Sequence, residues 1–183
     1  MKYYSLGGVE MVTNVLASRF LDNGCRVSIV SFIEPSNEIL CRKDSRIIYY
    51  LLSGFNTSKK NIDQLRNILI EEKIDIVINQ WGLPYVPIYV LKKASKGLSL
   101  KIFSVHHNSP KTNGRLKDIE IAMSETNNKF CALILCMKKV LTYYVTSYSM
   151  WYVYQKSDKY ILLSDSYIRE SVSYTHLRAH ETR

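Results

Sequence analysis

Five short apolar runs recur along this chain of 183 residues, and most of the segments between them are long enough to be helices. The runs are Arg26–Phe32 (RVSIVSF), Arg46–Leu52 (RIIYYLL), Asp75–Asn79 (DIVIN), Lys101–Val105 (KIFSV) and Lys159–Leu163 (KYILL). They are rich in β-branched and aromatic residues, which fit a pleated, packed surface. Parallel strands cannot be closed by a two-residue turn and need crossovers of roughly a dozen residues. The spacing therefore predicts an α/β fold: a parallel sheet with helices on both faces.

The intervening segments carry helical signals. From Val9 to Asn23 the apolar residues Val12, Val15, Leu16 and Phe20 share one face, and Gly24 follows as a stop, so this helix is expected to pack on the sheet. Ser58 precedes a second amphipathic stretch in which Ile62, Leu65, Ile68 and Leu69 share a face, with Ser58 or Thr57 placed to cap it. Pro84–Ala94 reads as another helix, and Leu116–Tyr154 as a helical region in two or three pieces. Glu34-Pro35-Ser36-Asn37 reads as a turn. Asp75–Asn79 is almost wholly apolar, the pattern of a strand covered on both faces.

Composition narrows the class. A hydrophobic content of 46% with 22% charged residues can enclose a core and argues against general disorder. The net charge of +9 is compatible with nucleic acid, an anionic membrane surface or phosphorylated substrates. Its basic residues are dispersed rather than clustered, which weighs against a nucleic-acid module. No apolar run is expected to span a bilayer and no signal-peptide core opens the chain, so the expected location is cytoplasmic. Cys25, Cys41, Cys131 and Cys136 form no CxxC pair and read as structural thiols, with no metal site expected. The tyrosine-rich stretch Tyr143–Tyr154 reads either as helical core and rim or as a stacking or membrane-surface face.

The last twelve residues, Val172–Arg183, resemble the in-frame translation of a sequencing-library adaptor. In that reading His176 and His180, four apart as a helical metal pair would be, carry no meaning. The chain is then expected to be truncated. Only Met1–Leu6 precede Gly7-Gly8, so an opening strand is expected to be very short or clipped.

In open α/β sheets ligands bind beyond the carboxyl ends of the strands. The residues there are Gly7, Gly8 and Glu10; Asn79, Gln80 and Trp81; His106, His107 and Asn108; and Ser164 to Ser166. A glycine pair opening a helix lets backbone amides approach an anion or a sugar hydroxyl, though it also makes an ordinary tight turn. A histidine at a strand end can hydrogen-bond a hydroxyl or phosphate near neutral pH, or serve packing alone. GxGxxG, GxxxxGK[ST] and GxSxG are all absent, which removes the support for dinucleotide, P-loop and triad-hydrolase readings.

Taken in order, these segments resemble family 4 type bacterial glycosyltransferases. Gly7-Gly8-Val9-Glu10 is similar to the glycine pair and glutamate that open that family's first helix, and Asn23–Val30 (NGCRVSIV) to the strand that follows. Lys73–Gln80 (KIDIVINQ), His106-His107-Asn108 and Ser157–Ser164 (SDKYILLS) resemble its later strand motifs, so that the likeness covers residues 5–170. The resemblance implies two facing Rossmann-like domains, of which residues 1–171 would be the N-terminal, acceptor-side one and residues 172–183 an artefactual tail. The nucleotide-sugar domain would be absent, leaving this chain inactive. It also implies a metal-independent, retaining transfer of a sugar from a nucleotide-sugar donor to a lipid-linked or oligosaccharide acceptor, in surface polysaccharide synthesis. The donor is a substrate and no cofactor is implied. His107 and His106 are the candidate catalytic histidines, with His107 favoured by the His-Asn pair it forms with Asn108. Gly7, Gly8, Glu10, Asn79, Gln80, Trp81, Asn108 and Ser164 would line the cleft. Peripheral contact with the inner membrane face is expected from the basic surface. The alternative is a stand-alone, non-catalytic Rossmann-like binding module.

Overall fold

The computed structural model describes residues 8–42, 44–107, 114–164 and 167. Within them the chain is an α/β protein whose strands pair only in parallel. The elements run α1 (Gly8–Asp22), β1 (Ser28–Ser31), α2 (Asn37–Arg42), β2 (Ile48–Leu51), α3 (Lys59–Glu71), β3 (Ile76–Asn79), α4 (Tyr85–Ala94), β4 (Lys101–His106), α5 (Gly114–Glu125), α6 (Lys129–Lys156) and β5 (Lys159–Leu162). The short helix α2 replaces the end of the turn expected at Glu34–Asn37.

Local chemistry sets these boundaries. Gly24 adopts φ 80°, a conformation costly for residues with a Cβ, and closes α1: its amide donates to the Leu21 carbonyl and that of Cys25 to Phe20. Ser58 caps α3 by accepting from the Asn61 amide, and Asn128 caps α6 by accepting from Phe130 and Cys131. The cap of α4 is Pro84, whose side chain makes no hydrogen bond.

The strands form two sheets rather than the single sheet expected, a pair ordered β1-β2 and a trio ordered β3-β4-β5. A shared core joins them: Phe32 and Leu52, just past β1 and β2, pack in one cluster with Ile102 of β4, Ile88 of α4 and Val153 of α6. Each fully enclosed isoleucine contributes on the order of 2 kcal/mol. Between the sheets lies a cavity of about 560 Å³, lined by Leu16 and Phe20 of α1, Ile29 of β1, Leu69 of α3 and Val77 of β3. An opening strand was expected from the stretch before Gly8, which lies outside the described residues.

This cavity accounts for two departures from the sequence reading. Val12, Val15, Leu16 and Phe20 of α1 are exposed, while Glu10, Thr13, Asn14 and Ala17 are buried; of the exposed four, Leu16 and Phe20 border the cavity rather than a packed strand. β3 is not covered on both faces: Ile76 is exposed, because β3 pairs only with β4 and borders the cavity as an edge strand. Two further corrections concern composition. All four cysteines are exposed, so none is a core thiol. Helix α6 is long and apolar enough to cross a bilayer by length and composition, contrary to the expectation that no segment would be.

Candidate functional site

β4 is the central strand of its sheet, flanked by β3 and β5 in register (Asn79 opposite Ser104, His106 opposite Leu162). Its burial is nearly continuous from Ile102 to His106, and it delivers His106 and His107 to the carboxyl edge. Chain order brings Asn79, Gln80 and Trp81 to the same edge from β3.

The hydrogen bonds fix the protonation of both histidines. The Tyr160 hydroxyl donates its one proton to the Gly82 carbonyl at 2.9 Å and lies 2.8 Å from His106 Nδ1. Nδ1 must therefore carry the proton and donate, leaving the lone pair on Nε2. Burial first, and the neighbouring His107 second, lower the His106 pKa to about 4, so this ring is neutral at physiological pH. Burial also pushes the Tyr160 hydroxyl well above its ordinary range, so it remains a donor. His107 Nε2 lies 2.7 Å from Gln80 Oε1, an acceptor, so here Nε2 carries the proton and Nδ1 the lone pair. Burial lowers the His107 pKa as well.

A second polar chain runs beneath them. Asn79 Nδ2 donates to Ser104 Oγ at 3.1 Å, Ser104 to Ser157 Oγ at 2.6 Å, and Ser157 to the Val153 carbonyl at 2.7 Å. The direction is set at its far end, because the Ser157 proton is committed to Val153. The rest of the Asn79 amide holds the following turn, with Nδ2 also donating to the Trp81 carbonyl and Oδ1 accepting from the Trp81 amide. The Asn79 side chain thus has the bonding of a brace for the loop after β3.

Two residues emerge that sequence reasoning did not select. Gly82 is pressed against β4: a Cβ there would sit 2.8 Å from the Val105 carbonyl and 3.0 Å from the His106 amide nitrogen. Tyr160 orients the His106 ring. No linear motif joins either to the histidines, since Tyr160 lies 54 residues from His106 in the chain.

Gly8 is exposed at the first turn of α1 and Glu10 is buried there. Because α1 turns back into β1 through a short connection, its N-terminus lies toward the carboxyl ends of the strands. Ser164 is exposed two residues past β5. Gly7, Asn108, Asp165 and Ser166 lie outside the described residues. Among the described residues, the cavity between the sheets touches the cluster through Asn79 and Gln80.

This arrangement offers two neutral imidazoles of opposite tautomer at a strand end, beside the buried amide of Gln80. Such a set can exchange hydrogen bonds with hydroxyls without adding charge. Comparisons with protein-family models, curated proteins and solved structures returned no match.

Proposed function

We propose that this chain is the acceptor-side, Rossmann-like domain of a retaining glycosyltransferase that moves a sugar from a nucleotide-sugar donor to a lipid-linked or oligosaccharide acceptor. The observation that carries the reading is the neutral histidine pair at the carboxyl end of the central strand, its tautomers set by Tyr160 and Gln80. His107 is the better candidate to meet a sugar. It is half-buried, whereas His106 is 4% exposed and its ring is held by Tyr160. A hydroxyl donating to His107 Nδ1 would be positioned without an added positive charge, while the cations needed to stabilise a departing diphosphate would come from a second domain. The chain by itself is then a positioning half.

The test is to sequence the gene across both ends of this frame and assay its full product against a panel of nucleotide-sugars. A second α/β domain, sugar transfer with retention, and a loss of about tenfold in kcat/KM on His107→Ala would support the reading. A product without transferase activity, with ligand binding unaffected by His107→Ala, would replace it with a non-catalytic binding module.

A further inference from the structure

The longest helix carries an apolar stripe on the side that faces away from the core. On α6, with 28 residues, Phe130, Ile134, Met137, Leu141, Tyr144 and Tyr148 are all exposed and follow one another at alternating steps of four and three. At 100° per residue they fall within an arc of about 80°. Phe130 and Met137 are 69% and 67% exposed, whereas Met150 and Val153, on the opposite side, are fully enclosed. An amphipathic helix normally turns its apolar stripe inward, so this one is placed to meet something outside the domain.

Charge selects the occupant. The helix contains Lys129, Lys138, Lys139 and Lys156 and no aspartate or glutamate. Lys138 and Lys156 lie on one flank of the stripe and Lys129 on the other, each roughly 80–100° from its centre. Lys139 points inward and pairs with Glu120 of α5 at 2.9 Å. A second copy facing this stripe would set lysine flanks against each other with no carboxylate on the helix to pair them. A bilayer surface suits all these features: apolar residues enter the acyl boundary, tyrosines sit at headgroup level, and flanking lysines reach the phosphates. Crossing the bilayer is disfavoured, because Lys138-Lys139 lie near mid-helix and Met150 and Val153 tie the C-terminal half to the domain.

We propose that the outer face of α6 docks in the plane of an anionic lipid surface. The proposal is independent of the glycosyltransferase reading, since it uses no residue of the strand-end cluster. The experiment is co-sedimentation of the whole chain with phosphatidylcholine vesicles, with and without phosphatidylglycerol. Binding is expected only with the anionic lipid. It should fall at least about tenfold in a Met137→Asp, Leu141→Asp double variant of unchanged circular dichroism. Replacing Lys129, Lys138 and Lys156 by glutamine, one at a time, should weaken it about fivefold per lysine. Three results would overturn the proposal: a chain left in the supernatant, binding indifferent to phosphatidylglycerol, or a dimer in ultracentrifugation that the double variant dissolves.

Discussion

The two sheets solve the same problem unequally. In the trio, β4 has a partner on each side and four of its six residues are buried. Its polar side chains Ser104 and His106 are held in hydrogen-bonded chains that reach α6 and β5. In the pair, β1 and β2 each have one partner, β2 leaves Ile48 and Leu51 exposed, and β1 borders the cavity. Buried polar groups are affordable where every donor and acceptor is matched, and a central strand gives the most neighbours to match them. The candidate chemistry sits at the end of the one strand that meets this condition.

The sharpest way to break this contrast is a matched pair of truncations. Ile102→Ala in β4 should cost about 4 kcal/mol, and Ile29→Ala in β1, at the cavity wall, about 2 kcal/mol. Urea denaturation of each would measure this, and equal losses would show that the sheets are equally well packed.

Next in size is a pH effect confined to the trio. The His106 pKa is depressed to about 4, so the unfolded state takes up protons first as pH falls below the ordinary histidine value. Stability is fully present above about pH 6.5 and is lost as pH falls toward 4, by about 3 kcal/mol in all from this group. His106→Asn, which keeps a donor toward Tyr160 but does not titrate, should flatten that part of the stability profile. An unchanged slope would mean other groups set it.

Gly82→Ala should destabilise by about 2 kcal/mol, because the new Cβ would press on the Val105 carbonyl oxygen and on the amide nitrogen and Cβ of His106, which yield little. The imidazole signals of His106 and His107 in a nuclear magnetic resonance spectrum should shift with it. A neutral substitution would mean that the loop after β3 is not pinned to β4.

The smallest expected effect lies outside the comparison and calibrates it. Ser58→Ala removes the side chain that accepts from the Asn61 amide and should cost about 1 kcal/mol in thermal or urea unfolding. A loss as large as that of Ile102→Ala would show that single surface contacts, and not strand burial, rank these variants.

The sequence determined the order of the five strands and of the longer helices between them, the parallel pairing, and the presence of histidines at a strand end. These follow from local periodicity, from crossover length and from residues such as Gly24 and Ser58, whose backbone preferences act within a few positions. Only the tertiary structure decided that the strands divide into two sheets, that α1 buries Thr13 and Ala17 rather than Val12 and Val15, and that α6 presents its most apolar side outward. Asn79, Gln80 and Trp81 were legible as strand-end residues, but not that Asn79 braces the turn while Gln80 orients His107. Tyr160 and Gly82 were invisible because their roles depend on contacts 54 and 23 residues away in the chain. A periodicity states which residues share a face; which face is covered, and which proton is held, depends on what the rest of the chain brings against it.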